Sequence, residues 1–299
     1  MSNKILTQSS IKVFTSCPKK YWWKFEQNLV PLEAEESDAL QWGTALHRGL
    51  AAYYISNLSL DAAIEACKGC YKEEFVVAML TGYDNRYRED DKNLKVVEVE
   101  SKFSQTIRNI KRNKTHWVAR GILDGLVELD GELYLLEHKT ASDIDVAYIE
   151  KIWADFQTMF YATYYSQQIN RDIIGVIYNV IRKSQKRQGK NETLEQFRNR
   201  LVETYLTEDM YHRETVVFDP GLKQKCLDET AYYLSAIQHC RYYGNWYKNY
   251  GACSHYGTQC QYFKLCSAPD PTIIAENYYK RVDNPHKEME EPDANSTAY

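Results

Sequence analysis

Asp124, Glu137 and Lys139 lie on two strand-like runs that flank an Asp-Gly pair, Asp130 and Gly131. Such a pair between β-forming runs is a strong signal for a two-residue hairpin turn, which places Asp124 opposite Glu137. Facing carboxylates repel each other, whereas a divalent cation between them makes the same arrangement favourable. Lys139 lies two residues beyond Glu137 and projects from the same face of the strand. We therefore predict an acidic metal site with a cationic side chain beside it.

The Asp and Glu-x-Lys pattern is weak evidence by itself, because chance matches are common and an exposed, charged hairpin explains the same residues. Three residues elsewhere favour the metal site. His47 lies on a predicted helix and is a candidate third ligand, although a lone histidine is more often structural. Gln157 and Tyr161 share one face of a later helix, as an ordinary polar stripe also does. Tyr164 and Tyr165 are alternatives to Tyr161.

The eight cysteines fall into two groups. Four lie in predicted helices and are interpreted as small buried hydrophobes: Cys67, Cys70, Cys226 and Cys240. The other four are candidate metal ligands, one near the first helix and three crowded into an irregular stretch near the other end: Cys17, Cys253, Cys260 and Cys266. In a chain that we expect to be intracellular, thiols or metal ligands are more plausible than disulfides.

The net charge of −4 excludes a generally basic nucleic-acid-binding protein, so any DNA contact requires a local basic patch. Two predicted loops carry such patches, with solvated surface as an equal alternative: Lys111, Arg112 and Lys114, and Lys183, Lys186, Arg187 and Lys190. The chain has no apolar run of membrane-spanning length and no signal-peptide pattern at its start. We therefore expect a cytoplasmic protein without membrane contact.

Hydrophobic periodicity and turn residues predict an α/β fold, with the hairpin inside a mixed central sheet that is flanked by helices. The predicted helices are Ile11–Gln27 with a break at Pro18, Ala39–Ile55, Leu60–Leu80, Asp145–Gln168, Thr193–Tyr205 and Pro220–Tyr243. The further predicted strands are Val96–Arg108, Ile173–Arg182 and Arg213–Phe218, and Thr81–Lys95 is predicted as a loop. We expect one domain over residues 1–282 and a disordered acidic tail over 283–299.

Taken in order, Cys17, the Gly43-x-x-x-His47 pattern, Asp124, Glu137-x-Lys139, Gln157-x-x-x-Tyr161 and the last three cysteines span nearly the whole chain. This order resembles the PD-(D/E)XK nuclease superfamily, in particular the branch that contains the RecB nuclease domain and the Cas4 proteins. The resemblance implies that His47, Asp124, Glu137 and the backbone carbonyl of His138 bind Mg²⁺ or Mn²⁺. It also implies that Lys139 orients the attacking water or stabilises the negative charge that develops on the phosphate, and that Gln157 and Tyr161 position the substrate.

The same branch contains proteins in which one N-terminal and three C-terminal cysteines hold a [4Fe–4S] cluster. The resemblance therefore implies a cluster on Cys17, Cys253, Cys260 and Cys266 that joins the two terminal segments. The related proteins have C-x-x-C before the last cysteine, whereas the gap here between Cys253 and Cys260 is six residues. That departure leaves Zn²⁺, or His255 as a substitute ligand, as alternatives.

The function that the resemblance implies is a metal-dependent DNA nuclease, in particular an exonuclease on single-stranded or frayed DNA in recombination, repair, or phage- or CRISPR-related processing. The expected setting is a bacterial, archaeal or phage-infected cell. Two other classes stay open: a non-catalytic module that binds DNA ends, and an accessory subunit of a helicase or recombination complex. The presence of Asp124, Glu137 and Lys139 together argues against the first, and the sequence does not decide about a partner.

Overall fold

The structure is a computed structural model that describes residues 4–33, 37–107, 116–255 and 257–286, the side chain of His255 excepted. The α-helices are α1 Gln8–Ser16, α2 Pro18–Tyr21, α3 Asp38–Ile55, α4 Leu60–Ala66, α5 Glu73–Asp91, α6 Val146–Ile152, α7 Phe156–Ile169, α8 Leu194–Thr207, α9 Pro220–Tyr243, α10 Phe263–Ser267 and α11 Thr272–Tyr278. The strands are β1 Lys4–Leu6, β2 Leu29–Pro31, β3 Lys95–Thr106, β4 Trp117–Leu129, β5 Glu132–Ala141, β6 Ile173–Arg182, β7 Tyr211–Val217, β8 Ser254–His255, β9 Thr258–Gln259 and β10 Tyr279–Arg281.

The main sheet has the strand order β1-β4-β5-β6-β7, with β3 also paired to β4. Strands β5 and β6 are parallel, whereas β4 and β7 run antiparallel to their neighbours β5 and β6. A parallel pair needs a long crossover, which α6 and α7 provide between β5 and β6. The prediction of a mixed central sheet flanked by helices is confirmed.

The β4–β5 hairpin has the register that its turn residues predict. Asp130 and Gly131 both adopt positive φ, at 53° and 86°, as a tight two-residue turn requires. Leu129 therefore pairs with Glu132, and the ladder continues back to Gly125 opposite Leu136. Asp124 and Glu137 are the next residues along the two strands, so their carboxylates lie at the same end of the hairpin.

The described residues form two compact units, each built from separate stretches of sequence. The first comprises the described parts of Met1–Glu35, Phe103–Gly121 and Lys225–Tyr299, and the second comprises those of Glu36–Lys102 and Ile122–Gln224. The second unit has a large core between the sheet and the helices α3, α5 and α8. The first has a smaller aromatic core around Trp23, Tyr262 and Tyr279. The single domain over residues 1–282 stays a prediction.

The boundaries of two predicted helices are wrong. The helix predicted over Leu60–Leu80 is interrupted after Ala66, and α5 continues to Asp91 through the predicted loop Thr81–Lys95. The reason is a buried stripe, because Tyr83, Tyr87 and Asp91 recur every four residues and are all buried. This stripe contains polar atoms, so hydrophobicity alone does not reveal it.

The helix predicted over Asp145–Gln168 is likewise two helices, α6 and α7. The side chain of Asp155 accepts a hydrogen bond of 2.8 Å from the backbone N–H of Gln157 and caps the start of α7. Trp153 lies in the break between the two helices and is 57% exposed. The new start of α7 places Gln157 in its first turn.

Two predictions fall wholly or partly outside the described residues. The basic residues Lys111, Arg112 and Lys114 lie outside them, and so do residues 287–299 of the predicted tail. Within that tail His286 is buried and its ring lies 4.8 Å from the ring of Phe25, so the packed chain extends past the boundary predicted at residue 283. No helix in the described ranges combines the length and apolarity that crossing a membrane requires.

Two helical glycines provide a test of the packing in the second unit. A Cβ added to Gly82 in α5 would lie 2.7 Å from the carbonyl oxygen of Tyr205 and closer still to the Tyr211 hydroxyl. We expect Gly82→Ala to lower the free energy of unfolding by about 1–3 kcal/mol through overpacking. In the control Gly43→Ala, a Cβ meets nothing within 4 Å, and we expect stabilisation by about 0.5–1 kcal/mol from helix propensity. Denaturant unfolding measures the free energy of unfolding of both variants. Equal effects of the two substitutions would contradict the close packing around Gly82.

Candidate active site

The centre of the site is a contact between α3 and β4. Nδ1 of His47 lies 3.0 Å from Oδ1 of Asp124. The other carboxylate oxygen of Asp124, Oδ2, accepts a hydrogen bond of 2.8 Å from the backbone N–H of His138. Asp124 is therefore held from two sides, at the position where the strand ladder between β4 and β5 ends.

Glu100 is a third acidic residue at this point, and the sequence motifs do not include it. Single donor atoms of His47, Glu100 and Asp124 all lie within 4.8 Å of one another, which is a spacing that one metal ion can span. Glu100 lies in β3 with φ of 51°, so the strand is locally distorted there. The only sequence signal for it is an acidic residue in the strand before the hairpin, which is too common to identify a ligand.

Glu137 and Lys139 on β5 pair with each other and with α7. Oε1 of Glu137 accepts hydrogen bonds from the Lys139 ammonium and, at 2.9 Å, from Nε2 of Gln157. The amide oxygen of Gln157 in turn lies 3.3 Å from Nζ of Lys139. These three predicted residues are therefore together, with Glu137 only 2% exposed. Lys139 and Gln157 both bind Oε1 of Glu137. The role of Glu137 as a direct metal ligand stays a prediction.

Tyr161 lies one helical turn beyond Gln157 on α7. Burial, assisted by the nearby Glu137 carboxylate, raises the pKa of the Tyr161 phenol, so the group stays neutral. The two alternatives are deeply buried: Tyr164 is 1% exposed, and Tyr165 donates a hydrogen bond to Glu98. The phenol of Tyr161 lies within electrostatic reach of the Glu137 carboxylate and the Lys139 ammonium.

The charged residues of the site alter one another's pKa values. Burial alone would raise the pKa of both carboxyls, but His47 outweighs it at Asp124 and lowers the pKa of that group. At Glu137 burial and the neighbouring Asp124 prevail over Lys139, and the pKa is raised. Burial disfavours the charged Lys139, yet Glu137 and Asp124 raise its pKa above the usual value. The result is a concentration of negative charge that a divalent cation would neutralise.

His138 lies on the opposite face of β5 and anchors the strand. It is 2% exposed, and burial lowers the pKa of its imidazole to about 3, so the ring is neutral. The ring stacks on Tyr54 with centroids 5.8 Å apart, and its Nδ1 lies 3.4 Å from Nδ2 of Asn179 on β6. The backbone N–H that holds Asp124 therefore belongs to a residue whose side chain is packed on two sides. The predicted role of its carbonyl as a metal ligand stays a prediction.

Behind His138 lies a buried ion pair. Nε of Arg213 on β7 donates to Oδ1 of Asn179 at 2.6 Å, and its Nη1 donates to Oδ1 of Asp91 at 2.7 Å. The second oxygen of Asp91 accepts from the hydroxyl of Tyr54 at 2.8 Å. Asp91 is 1% exposed, so its charge depends on these partners. The sequence reasoning did not find this network, because its members come from four distant elements.

The basic residues of the predicted loop after β6 differ in their exposure and in their partners. Nζ of Lys186 pairs with Glu208 at 2.8 Å and with Thr204 at 2.6 Å, so its charge is already matched within the chain. Arg187 and Lys190 are exposed. Lys183 is half-buried, with its ammonium 5.6 Å from the ring centroid of Trp42.

All four candidate cluster cysteines lie in the first unit. The backbone N–H of Asn249 donates to Sγ of Cys17 at 3.4 Å, and Nε1 of Trp23 donates to Sγ of Cys266 at 3.3 Å. The backbone N–H of Cys260 donates to the carbonyl of Cys253 at 2.9 Å. Among the described residues no three cysteine sulfurs lie within 4.8 Å of one another. Of the four remaining cysteines, Cys67 and Cys70 lie in the second unit, and Cys226 and Cys240 lie buried along α9 in the first.

Comparisons with known proteins give a family match over most of the chain. A family model described as the PD-(D/E)XK nuclease superfamily matches residues 5–266. No curated protein matches significantly. Among solved structures, a candidate exonuclease from Eubacterium rectale is similar at 12% identity, covering 89% of this chain and 94% of that chain with a TM-score of 0.49. At these values the likeness adds nothing to what the family match shows.

The geometry around Glu100 predicts its contribution to cation binding. We expect Glu100→Gln to weaken Mn²⁺ binding by about tenfold or more, since even groups that only support metal ligands typically contribute 10–100-fold. Isothermal titration of the DNA-free protein with Mn²⁺ measures this. Glu98→Gln is the matched control on the same strand, because Glu98 is occupied by Tyr165 and should leave the affinity unchanged. Wild-type affinity in the Glu100 variant would remove Glu100 from the site.

Proposed function

The chain belongs to the PD-(D/E)XK nuclease superfamily, and on that basis we propose that it is a metal-dependent DNA exonuclease acting on single-stranded or frayed ends. The observation that carries the proposal is the gathering of His47, Asp124, Glu137 and Lys139 at one end of the β4–β5 hairpin. The preference for ends rests on the motif order shared with the RecB and Cas4 branch. We further propose that the protein acts on DNA and that it does so in the cytoplasm. A helicase or recombination protein as its partner stays an expectation.

The donors at the site fit Mg²⁺ or Mn²⁺. Both ions prefer oxygen ligands, and the imidazole of His47 beside the carboxylates of Asp124 and Glu100 shifts the preference somewhat toward Mn²⁺. When bound, the ion lowers the pKa of a coordinated water and neutralises charge on the scissile phosphate. Glu137, buried next to this group, is proposed to complete the ligand set.

Lys139 acts on the reacting phosphate rather than on the ion, and Gln157 holds Lys139 in place. The Lys139 ammonium is held in place by Glu137 and by the Gln157 amide oxygen, which fixes a positive charge beside the metal site. Negative charge that develops on the phosphate oxygens during attack is stabilised by such a preorganised group. Tyr161, neutral and one turn further along α7, is proposed to position the substrate strand.

The proposed chemistry predicts a separation of cleavage from binding. We expect Lys139→Ala to reduce Mn²⁺-dependent cleavage of end-labelled single-stranded DNA by about 10²–10³-fold, the loss typical of one preorganised charge-stabilising group. DNA affinity without metal should be largely retained, since Lys139 serves the reacting group. Lys139→Met keeps the aliphatic stem and guards against loss of folding, which thermal unfolding checks.

The exposed Lys151 of α6 is the control for that experiment, and Lys151→Ala should cleave like the wild type. Full cleavage by both Lys139 variants would refute the catalytic assignment. Equal digestion of a circular single strand would instead show that the protein cuts internally and not from ends.

We also propose that Cys17, Cys253, Cys260 and Cys266 hold a [4Fe–4S] cluster. Two N–H groups donate to the sulfurs of Cys17 and Cys266, and such bonds stabilise thiolates that ligate a cluster. Lys19 lies near the same two sulfurs, where its positive charge would favour their anionic form. A tetrahedral Zn²⁺ site on the same cysteines is the alternative.

The cluster predicts an effect at a distance from the hydrolytic residues. After anaerobic purification, we expect Cys260→Ala to be colourless and depleted of iron, and to unfold at lower temperature. A cross-link between Cys17 and Cys253 closes a very long loop, a stabilisation of several kcal/mol on the chain-entropy view. Cys70→Ala, in the other unit, should keep its iron. Unchanged iron content and melting temperature in Cys260→Ala would exclude the cluster.

A further inference from the structure

Two lysine ammonium groups lie close to one indole ring in the second unit. Nζ of Lys72, the residue before α5, is 4.4 Å from the ring centroid of Trp42, and Nζ of Lys183 is 5.6 Å from it. Burial and the neighbouring Lys72 lower the pKa of Lys183, so the two positive charges disfavour each other. Holding like charges together costs free energy that a bound anion would recover.

The lysine pair is adjacent to elements that carry the candidate catalytic residues. Trp42 lies on α3 five residues before His47, which corresponds to about 7.5 Å along the helix axis. The backbone N–H of Lys183 donates to the carbonyl of Ala141 at 2.7 Å, and Ala141 lies two residues beyond Lys139 on β5. Phosphates bound at the lysines would therefore lie within a few nucleotides of the reacting phosphate on the same strand.

Gly43 lies between the lysine pair and His47 along α3. Glycine in a helix interior costs about 1 kcal/mol relative to alanine, yet a Cβ at Gly43 would meet nothing within 4 Å in the described structure. Packing within the chain therefore does not require glycine there. One turn separates Gly43 from His47 on the same face of the helix. Close approach of a ligand backbone is a recognised reason for glycine at such a position.

One carboxylate competes for the lysine pair. Oδ2 of Asp38 lies 3.3 Å from Nζ of Lys72, and its other oxygen accepts a hydrogen bond of 2.6 Å from the Tyr71 hydroxyl. The Asp38 side chain is 74% exposed, and exposed ion pairs contribute only about 0–1 kcal/mol. A backbone phosphate that contacts Lys72 can therefore displace this interaction.

We propose that Lys72 and Lys183 bind backbone phosphates of a single DNA strand that passes over Gly43 toward the metal centre. The inference rests on the proposed function, because it assigns the path of the substrate at the same site. The recognition is of phosphate rather than of base sequence, since ammonium groups contact the backbone and carry no sequence information.

The test measures binding without cleavage. Fluorescently labelled oligo(dT) is titrated with the full chain in EDTA at several salt concentrations. We expect Lys72→Gln and Lys183→Gln each to weaken binding about fivefold at 0.1 M salt and to reduce the slope of log K against log salt by about 0.7, the value for one single-strand phosphate contact. Lys68→Gln, an exposed lysine four positions before Lys72, is the control and should match the wild type.

Gly43→Ala separates binding from stability. We expect this variant to unfold at higher temperature than the wild type and yet to bind the oligonucleotide more weakly, whereas a purely structural glycine would not show both effects. Wild-type affinity and salt slope in both lysine variants would overturn the subsite, even with cleavage intact. If the wild-type protein neither binds nor cleaves DNA, the proposed function fails as well, and the subsite fails with it.

Discussion

The second unit is organised around an electrostatic conflict. Asp124, Glu100 and Glu137 bring three carboxyl groups to one end of a hairpin, where burial weakens the screening that water provides elsewhere. His47 and Lys139 offset part of the repulsion by direct contact. These contacts leave an acidic, partly enclosed site, and a divalent cation is the species that would relieve it most.

Precise placement of these charges depends on groups that never touch a substrate. The neutral ring of His138 is held between Tyr54 and Asn179, and Arg213 ties Asn179 to Asp91. Strands β5, β6 and β7 and helix α5 are thus joined by hydrogen bonds as well as by apolar packing. A buried ion pair of this kind adds little net stability, but removal of one partner leaves the other charge buried and unpaired. Such a network restricts how far β5 can shift, and so restricts the metal site.

In the first unit, hydrogen bonds and an ion pair join residues 26–31 to residues from the later part of the described chain. Strand β2 pairs with β10, the hydroxyl of Tyr262 donates to the carbonyl of Leu29 at 2.7 Å, and Arg241 forms an ion pair with Glu26. The proposed cluster would therefore reinforce an arrangement that has its own hydrogen bonds and aromatic core. This separates two roles: hydrolytic residues belong to the second unit, and the candidate cluster ligands belong to the first.

The sequence by itself determined those features that local rules control. Asp130 and Gly131 accept positive φ, so the turn sets the register and brings Asp124 and Glu137 to one end of the hairpin. The i, i+4 spacing likewise places Gln157 and Tyr161 on one face of α7.

Tertiary structure alone decided the rest. Glu100 approaches His47 only because β3 pairs with β4 and because its own backbone departs from strand geometry, which no pattern of residue types encodes. The stretch after Leu80 looks like a polar loop, but burial of Tyr83, Tyr87 and Asp91 against Arg213 makes it helix. The sequence does not reveal that Lys72 and Lys183 lie near the same ring either. The two lysines are more than a hundred residues apart, and only the folded chain brings both to Trp42. Local chemistry sets each strand and turn, whereas contacts between distant segments set which charges meet.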